Sequence, residues 1–297
     1  MEQPRIAIVL VNWNGKEDTR ECLESLRRLT YPDYSLIVVD NGSTDGSVAE
    51  IGSVFPEVCL IPAGENLGFT GGNNIGIKRA LDTGADAVLL LNNDTVVSPD
   101  FLEPLALTLF GDPKIGAVNS KIYYYAQPDV IWSAGGNING RTGIASQRHV
   151  DEKDEGQADQ QADVDYAVGC SIMVRRDAIE MAGLLDDDFF VYYEEAEWCR
   201  RMRALGYRIV YVPGSKVWHK VMASASSSER TLYYYCRNRL LYLRRDGARP
   251  ARQAGLIALE FGRMALAFLV KGRASESRAV ARAVTDYCFG KFGKAPI

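Results

Sequence analysis

A chain of 297 residues, 47% hydrophobic and 24% charged, holds enough apolar material for a sizeable core, in one large domain or two modest ones. Its net charge of −4 gives no footing for a nucleic-acid partner. The six cysteines (Cys22, Cys59, Cys170, Cys199, Cys236 and Cys288) show no C-x-x-C spacing, which argues against a structural zinc site or a disulfide framework and fits a reducing compartment.

The first hundred residues alternate strand and helix signals. Met1 is followed within a few residues by the strand-like "IAIVLVNW" (6–13), with no signal-peptide layout, and then by the helically spaced "KEDTRECLESLRRL" (16–29). "YSLIVVD" (34–40) predicts a second strand, and "STDGSVAEIGSVF" (43–55) a helix opened by a cluster of capping residues. A short strand, "VCLIP" (58–62), leads to "TGGNNIGIKRALDTG" (70–84), a helix entered through glycines and stopped by Gly84. "AVLLLNND" (87–94) predicts a fourth strand, whose apolar run ends on two amides and a carboxylate. Such alternation predicts an α/β fold with a mostly parallel sheet flanked by helices, in which ligands bind beyond the carboxyl ends of the strands. Asp40 and Asp94 both fall at such ends. A turn built on Asn and Asp is the plainer reading of either cluster.

The middle is less regular. "VNSKIYYY" and "IWSAGGNINGRTG" suggest strands and a glycine-rich hairpin, and the acidic stretch 151–165, "DEKDEGQADQQADVD", suggests a mobile surface loop. "VGCSIMVRR" (168–176) resumes as a strand. "EEAEWCRRMRALG" (194–206) is a helix, "YRIVYVP" a strand, and "SERTLYYYCRNRLLYLRRDG" (228–247) a long helix. From Glu229 onward the chain carries 14 Lys/Arg against 5 Asp/Glu. Residues 254–273 are apolar but interrupted by Glu260 and Arg263, so no transmembrane helix is expected. A basic, apolar-faced tail of this kind suits the surface of an anionic membrane, and equally a helix packed on the body with a solvated rim.

Neither glycine-rich helix entry is a dinucleotide fingerprint, because the G-x-G-x-x-G register is absent after the first strand. Their order is more telling. "VNWNG", "VVDNGSTDGS", "NLGFTGGNNIG", "NND", "GCSIMVRR", "EEAE" and "VWHK" together resemble the family 2 glycosyltransferases of the GT-A fold, in particular the bacterial rhamnosyltransferase-like and galactofuranosyltransferase-like branch, from about Ile6 to about Arg239. The resemblance implies a catalytic domain over 1–227 and a helical, basic extension over 228–297. It implies inverting transfer of a sugar from a nucleoside diphosphate donor (a UDP- or dTDP-sugar, dTDP-rhamnose for example) to a hydroxyl of a cell-surface glycan or lipid-linked precursor. The setting implied is the cytoplasm or the inner face of the cell membrane.

Carried over by position, the resemblance puts Asn12 and Trp13 beside the nucleotide base and Asp40 on the base or ribose. Gly71, Gly72 and Asn73 would flank the nucleotide. Asn92, Asn93 and Asp94 occupy the place of the D-x-D motif: Asn92 would face the donor, Asn93 replaces the usual proline, and Asp94 would ligate a divalent metal, Mn2+ or Mg2+. His219 would be a further metal ligand. Glu195, or its neighbour Glu194, falls where the branch has its catalytic base, usually Asp. Arg237, Asn238 and Arg239 fall where the branch can meet the diphosphate or acceptor, with ordinary helix positions an equal reading, and the tyrosines at 123–125 and 233–235 suggest an acceptor groove or merely half-buried rings. Two rivals stay open: a nucleotidyltransferase, for which "VNWNGKED" lacks a basic glycine-rich triphosphate loop, and a catalytically silent binding module with the same fold.

Overall fold

The computed structural model describes residues 3–221 and 229–296. The N-terminal half follows the predicted alternation: β1 (Ile6–Asn12), α1 (Lys16–Leu26), β2 (Tyr34–Asp40), α2 (Ser47–Val54), β3 (Cys59–Pro62), α3 (Gly68–Asp82), β4 (Ala87–Leu91), β5 (Thr95–Val97) and α4 (Leu102–Gly111). Then come β6 (Ile115–Tyr124), β7 (Val130–Ser133), the hairpin β8 (Gly136–Ile138) and β9 (Ala145–Gln147), and two short strands, β10 (Glu152–Lys153) and β11 (Ala162–Asp163). β12 (Ser171–Arg175), α5 (Arg176–Ala182), α6 (Glu194–Ala204) and β13 (Arg208–His219) complete the sheet region. The tail holds α7 (Glu229–Arg245), α8 (Pro250–Leu256), a π-helical stretch (Ile257–Phe261), α9 (Gly262–Val270) and α10 (Ala274–Cys288).

The central sheet runs β10-β7-β6-β12-β4-β1-β2-β3 and is parallel through β4-β1-β2-β3. β12 lies antiparallel between β4 and β6, and β13 extends the sheet by pairing with β6, β5 and β11. Every residue of β4 is buried, because the strand sits between β1 and β12 with helices over the sheet, which explains why "AVLLL" does not alternate. Helix α3 lies close on β1: a Cβ at Gly72 would stand 2.7 Å from Val11, and one at Gly76 2.2 Å from Val9. These glycines are therefore spacing devices between helix and sheet. The carboxyl ends of β1, β2 and β4 come together at one edge.

The acidic stretch 151–165 departs from the mobile loop expected of its composition. Lys121, only 1% exposed, donates to Asp154 at 2.8 Å and to Asp159 at 2.6 Å, and the Tyr123 hydroxyl donates to the same Asp154. A buried ammonium needs such partners, so its carboxylates are pinned with it. The apolar tail differs too. Pro250–Val270 is long and apolar enough to cross a membrane by length and composition, and most of it is exposed. Glu260, which interrupts the run in sequence, points inward to Arg239. The expected domain boundary at 227/228, like the start of the long helix at 228, lies outside the described residues.

Candidate active site

At that edge of the sheet a cavity of about 500 Å³ opens, lined by Trp13, Asn73, Asn92, Asn93, Asp94 and Arg230 among others. A hydrogen-bonded frame stands behind it. Asn12, fully buried, donates to Asp40 at 2.8 Å and to Ser43 at 3.0 Å, while its carbonyl accepts from Thr19 and the Gly15 amide. Asp40 also accepts the Ser43 amide, and Asn14 ties the same turn through Thr44. Asn93 is held by Thr19 at 2.8 Å; a Cβ on Gly15 would sit 2.6 Å from its amide, so glycine leaves room for it. Of the residues expected at the donor, Trp13, Asn73, Asn92, Asn93 and Asp94 line this cavity. Asn12, Asp40, Gly71 and Gly72 do not; Asn12 and Asp40 brace the loop behind the wall, and Gly72 lets α3 approach β1.

Asp94 and His219 meet as β5 and β13 pair, with His219 Nε2 3.1 Å from Asp94 Oδ1. Burial opposes an imidazolium here, yet the neighbouring Cys170 and Asp94 outweigh it and lift the pKa of the metal-free His219 to about 10, so a metal bound by this ring would have to displace its proton. Burial likewise pushes Asp94 up, but His219 brings it below the ordinary carboxylate range. His219 Nδ1 is buried and has no hydrogen-bond partner. One carboxylate and one imidazole beside an open cavity fit a divalent ion that takes its remaining ligands from a bound phosphate. Among the described residues no group of three or more ligating side chains gathers anywhere.

A second cavity of about 320 Å³ lies beyond, walled by Tyr166, Tyr192, Tyr193, Tyr235 and Glu195. Glu194 is 4% exposed and lines neither cavity, whereas Glu195 is half-buried and faces this one. One carboxylate oxygen of each has no protein partner. Burial raises both acids; repulsion from Glu195 raises Glu194 further, while backbone N–H groups, among them that of Gly169, offset part of the rise at Glu195. Glu195 is thus the more readily ionised of the two. Glu197 is occupied elsewhere, accepting from Arg200 at 2.9 Å and Arg201 at 2.8 Å.

The two cavities share a wall, the strap 188–193. Phe190 and Val191 face the first cavity, Tyr193 the second, and Tyr192 both. Phe190, Tyr192 and Tyr193 all have positive φ (64°, 69° and 74°), a conformation that costs a non-glycine residue about 1–3 kcal/mol. Two elements hold it there. On one side Thr70 donates to the Phe190 carbonyl, and Gly68 makes the approach possible, since a Cβ there would lie 2.4 Å from that oxygen. On the other, Asn238 donates to the carbonyls of Phe189, Val191 and Tyr192 at 2.7–2.8 Å, and Arg237 to those of Asp188 and Phe189.

Arg237, Asn238 and Arg239 are therefore buried and committed to the chain itself, Arg239 to Glu260 and the Thr142 carbonyl, and do not meet either cavity. The cation that α7 does bring to the first cavity is Arg230, which the sequence pattern did not single out. Its guanidinium stands 5.8 Å from the Trp13 ring and 5.9 Å from that of Phe190. It is the one Lys or Arg lining that cavity among the described residues. Tyr234 and Tyr235, neighbours on α7, face the first and second cavities respectively, while Tyr123, Tyr124 and Tyr125 bond Asp154, Asp151 and Glu21 away from both.

A family model described as glycosyl transferase family 2 matches residues 7–182. The dTDP-rhamnosyl transferase RfbF of Shigella flexneri is 26% identical over 255 residues, covering 81% of this chain and 80% of that protein. An N-acetylglucosaminyl-diphospho-decaprenol L-rhamnosyltransferase of Mycobacterium tuberculosis is 26% identical over 231 residues, covering 72% and 75%. Among solved structures, that of GalNAc-T7 with UDP, GalNAc and Mn2+ superposes with a TM-score of 0.64 at 17% identity over 80% of this chain; the match spans only 47% of that longer protein. At that identity the likeness concerns the fold, which is GT-A.

Proposed function

The chain belongs to glycosyl transferase family 2, and we propose that it transfers a sugar, with inversion, from a nucleoside diphosphate sugar to a hydroxyl of a cell-surface glycan or its lipid-linked precursor. The observation that carries this reading is the pairing of two adjoining cavities. One offers Arg230 to an anionic donor and Asp94 to a divalent cation that would accompany it, and the other offers a half-buried carboxylate, Glu195, among tyrosines. The named activities of the two rhamnosyltransferase relatives favour dTDP-rhamnose as donor, and the second relative favours a lipid diphosphate acceptor.

In this reading the exposed Trp13 ring meets the nucleotide base, with the Asn12–Asp40–Ser43 frame fixing the loop that carries it. Asp94 and His219 would hold a divalent ion, Mn2+ or Mg2+, which would supply Lewis-acid stabilisation to the leaving diphosphate. Arg230 adds a positive charge that binds the donor's diphosphate in the ground state and the transition state alike. Glu195 takes the proton of the acceptor hydroxyl as that oxygen attacks the anomeric carbon and the bond to the diphosphate breaks. Glu194 stays protonated beside it. The catalytic unit then comprises 1–227 completed by α7, since Arg230, Tyr234 and Tyr235 reach the cavities, with α8 to α10 as the extension. A sugar-nucleotide donor and six free cysteines fit a cytoplasmic setting.

The test is to incubate the protein with Mn2+ and a panel of nucleotide sugars, with and without lipid diphosphate acceptors, and to measure released nucleoside diphosphate and glycosylated product. Transfer from one donor, lost in Asp94→Ala and Glu195→Gln, is the expected result. Donor binding with no release from any sugar nucleotide would instead establish the silent binding module, and release of pyrophosphate from a nucleoside triphosphate the nucleotidyltransferase.

A further inference from the structure

Pro250–Val270 forms one helical run in which Phe261 alone is buried. Ile257, Met264, Ala265 and Phe268 flank Phe261 on the inner side and pack on the cluster built by α7 and α10. The outer side is apolar. Leu259, Leu266, Leu269 and Val270 are 68%, 61%, 54% and 80% exposed, and Arg263 is the only charged residue among the exposed positions from 250 to 270. Cations gather at the two ends instead: Arg249 and Arg252 before the face, Lys271 and Arg273 after it, with Arg252 bonded to the Gly140 and Arg141 carbonyls and Arg273 paired with Glu276. A contiguous apolar face of this kind on a folded protein marks an interaction surface.

We propose that this outer face docks flat on an anionic lipid bilayer. The inner side is fastened to the body, with Glu260 bonded to Arg239 and Gln253 to Tyr287. The run therefore lies along the surface of the protein, and crossing a membrane would mean tearing those contacts away. An apolar face collared by cations suits the boundary between acyl chains and acidic headgroups, with Arg263 reaching up past the leucines to the headgroups. A second copy of the chain fits less well. A two-fold pairing of these faces would set Arg249 and Arg252 of one copy against Lys271 and Arg273 of the other, cation against cation.

The position of the face relative to the second cavity gives docking a direction. At the start of the run a groove is lined by Arg141, Thr142, Arg252, Leu256, Leu259 and Arg263, with the Arg239-bonded Glu260 among its remaining walls. Thr142 adjoins Gly143, whose carbonyl accepts the hydroxyl of Tyr193, a wall of the Glu195 cavity. The docking face thus runs by a short path to the pocket of the proposed base, so an acceptor held in a membrane would enter from the side the protein rests on.

The experiment is co-sedimentation of the full chain with vesicles of phosphatidylcholine alone or mixed with phosphatidylglycerol. Binding to the mixed vesicles at low salt, weakened by added salt, is expected, since each cation near such a surface multiplies affinity about fivefold. The triple variant Leu259→Gln, Leu266→Gln, Leu269→Gln is expected to lose more than about tenfold in binding, because the leucines supply the apolar area. Arg249→Gln with Lys271→Gln should lose binding to the mixed vesicles and the salt dependence with it. Unchanged thermal melting and nucleotide binding in each variant show that the fold is kept. Absence of binding to mixed vesicles at low salt would overturn the proposal, and so would a dimer in sedimentation that the leucine variant dissolves.

Discussion

The cavities on either side of the 188–193 strap are built on opposite terms. On the side proposed for the donor most polar groups are already met: Asn12, Asp40, Ser43, Thr19 and Asn93 bond one another and Asp94 holds His219, whose Nδ1 alone of this set lacks a partner. On the side proposed for the acceptor, Glu195 keeps an unpartnered carboxylate oxygen, as does Glu194 buried behind it. A prepared network costs nothing to reorganise when substrate arrives, whereas an unpaired buried acid raises the energy of the empty protein until a hydroxyl fills the gap. The contrast teaches that the first pocket is largely braced before anything binds, and that the proposed base pocket leaves a carboxylate oxygen for an acceptor hydroxyl to meet.

The largest expected effect breaks the donor side. Asp94→Ala should abolish turnover and metal-dependent nucleotide binding while the thermal melt stays cooperative; full activity of that variant, or of the wild type in EDTA, would remove the metal from the site. Next comes the acceptor side. Glu195→Gln keeps the shape but cannot accept a proton, and a lost general base costs about 10²–10⁴-fold in rate. Donor affinity, read by nucleotide titration, should not move. If Glu194→Gln shows that loss and Glu195→Gln does not, the two residues exchange roles. A third variant should disturb both sides at once. Asn238→Ala frees the strap, and displacements of about 1 Å cost up to about 10²-fold in rate. Here kcat should fall and donor KM rise together, a split that separates it from Glu195→Gln.

Arg230→Ala should return the effect to the donor side alone: donor KM rises about tenfold, as for a lost charge-assisted bond, with kcat nearly kept. The smallest effect is on pH. Burial raises both glutamic acids, so transfer should switch on with rising pH through a value above the ordinary glutamate pKa of about 4.3. Glu194→Gln replaces an acid that is already neutral and should leave that limb in place. Stability runs the other way. The protonated acids favour the folded state, so their contribution is full below the ordinary value and is lost as pH rises through the raised one. Urea midpoints measured across that window should fall with pH in the wild type and fall less in Glu194→Gln.

The first cavity was legible because its signals are local. Strands ending on Asp40 and on Asn92-Asn93-Asp94 place the cavity by topology alone, and the helix at 194 was read from its own spacing. What escaped depends on distance. The strap is held through Asn238, some 47 residues away in the chain from Val191, and left-handed backbone at Phe190, Tyr192 and Tyr193 leaves no mark in residue type, since aromatic residues rarely adopt it. The acidic stretch 151–165 looked unattached because a buried lysine, Lys121, is visible as a partner only once the strand carrying it is folded. Glu260 misled in the same way: a charge in the sequence counts against an apolar face only if it points outward.

Tyr192 stands in the wall of both cavities, on backbone that two separate helices force into place. An engineer who wished to exchange the sugar while keeping the acceptor would find no independent dial in this segment. A substitution that reshapes the donor side of the strap also moves a ring beside Glu195. Libraries aimed at donor preference should therefore leave 188–193 fixed and vary Trp13, Asn73 and Arg230, which touch one cavity only; selections that do alter the strap should recover paired changes of donor and acceptor.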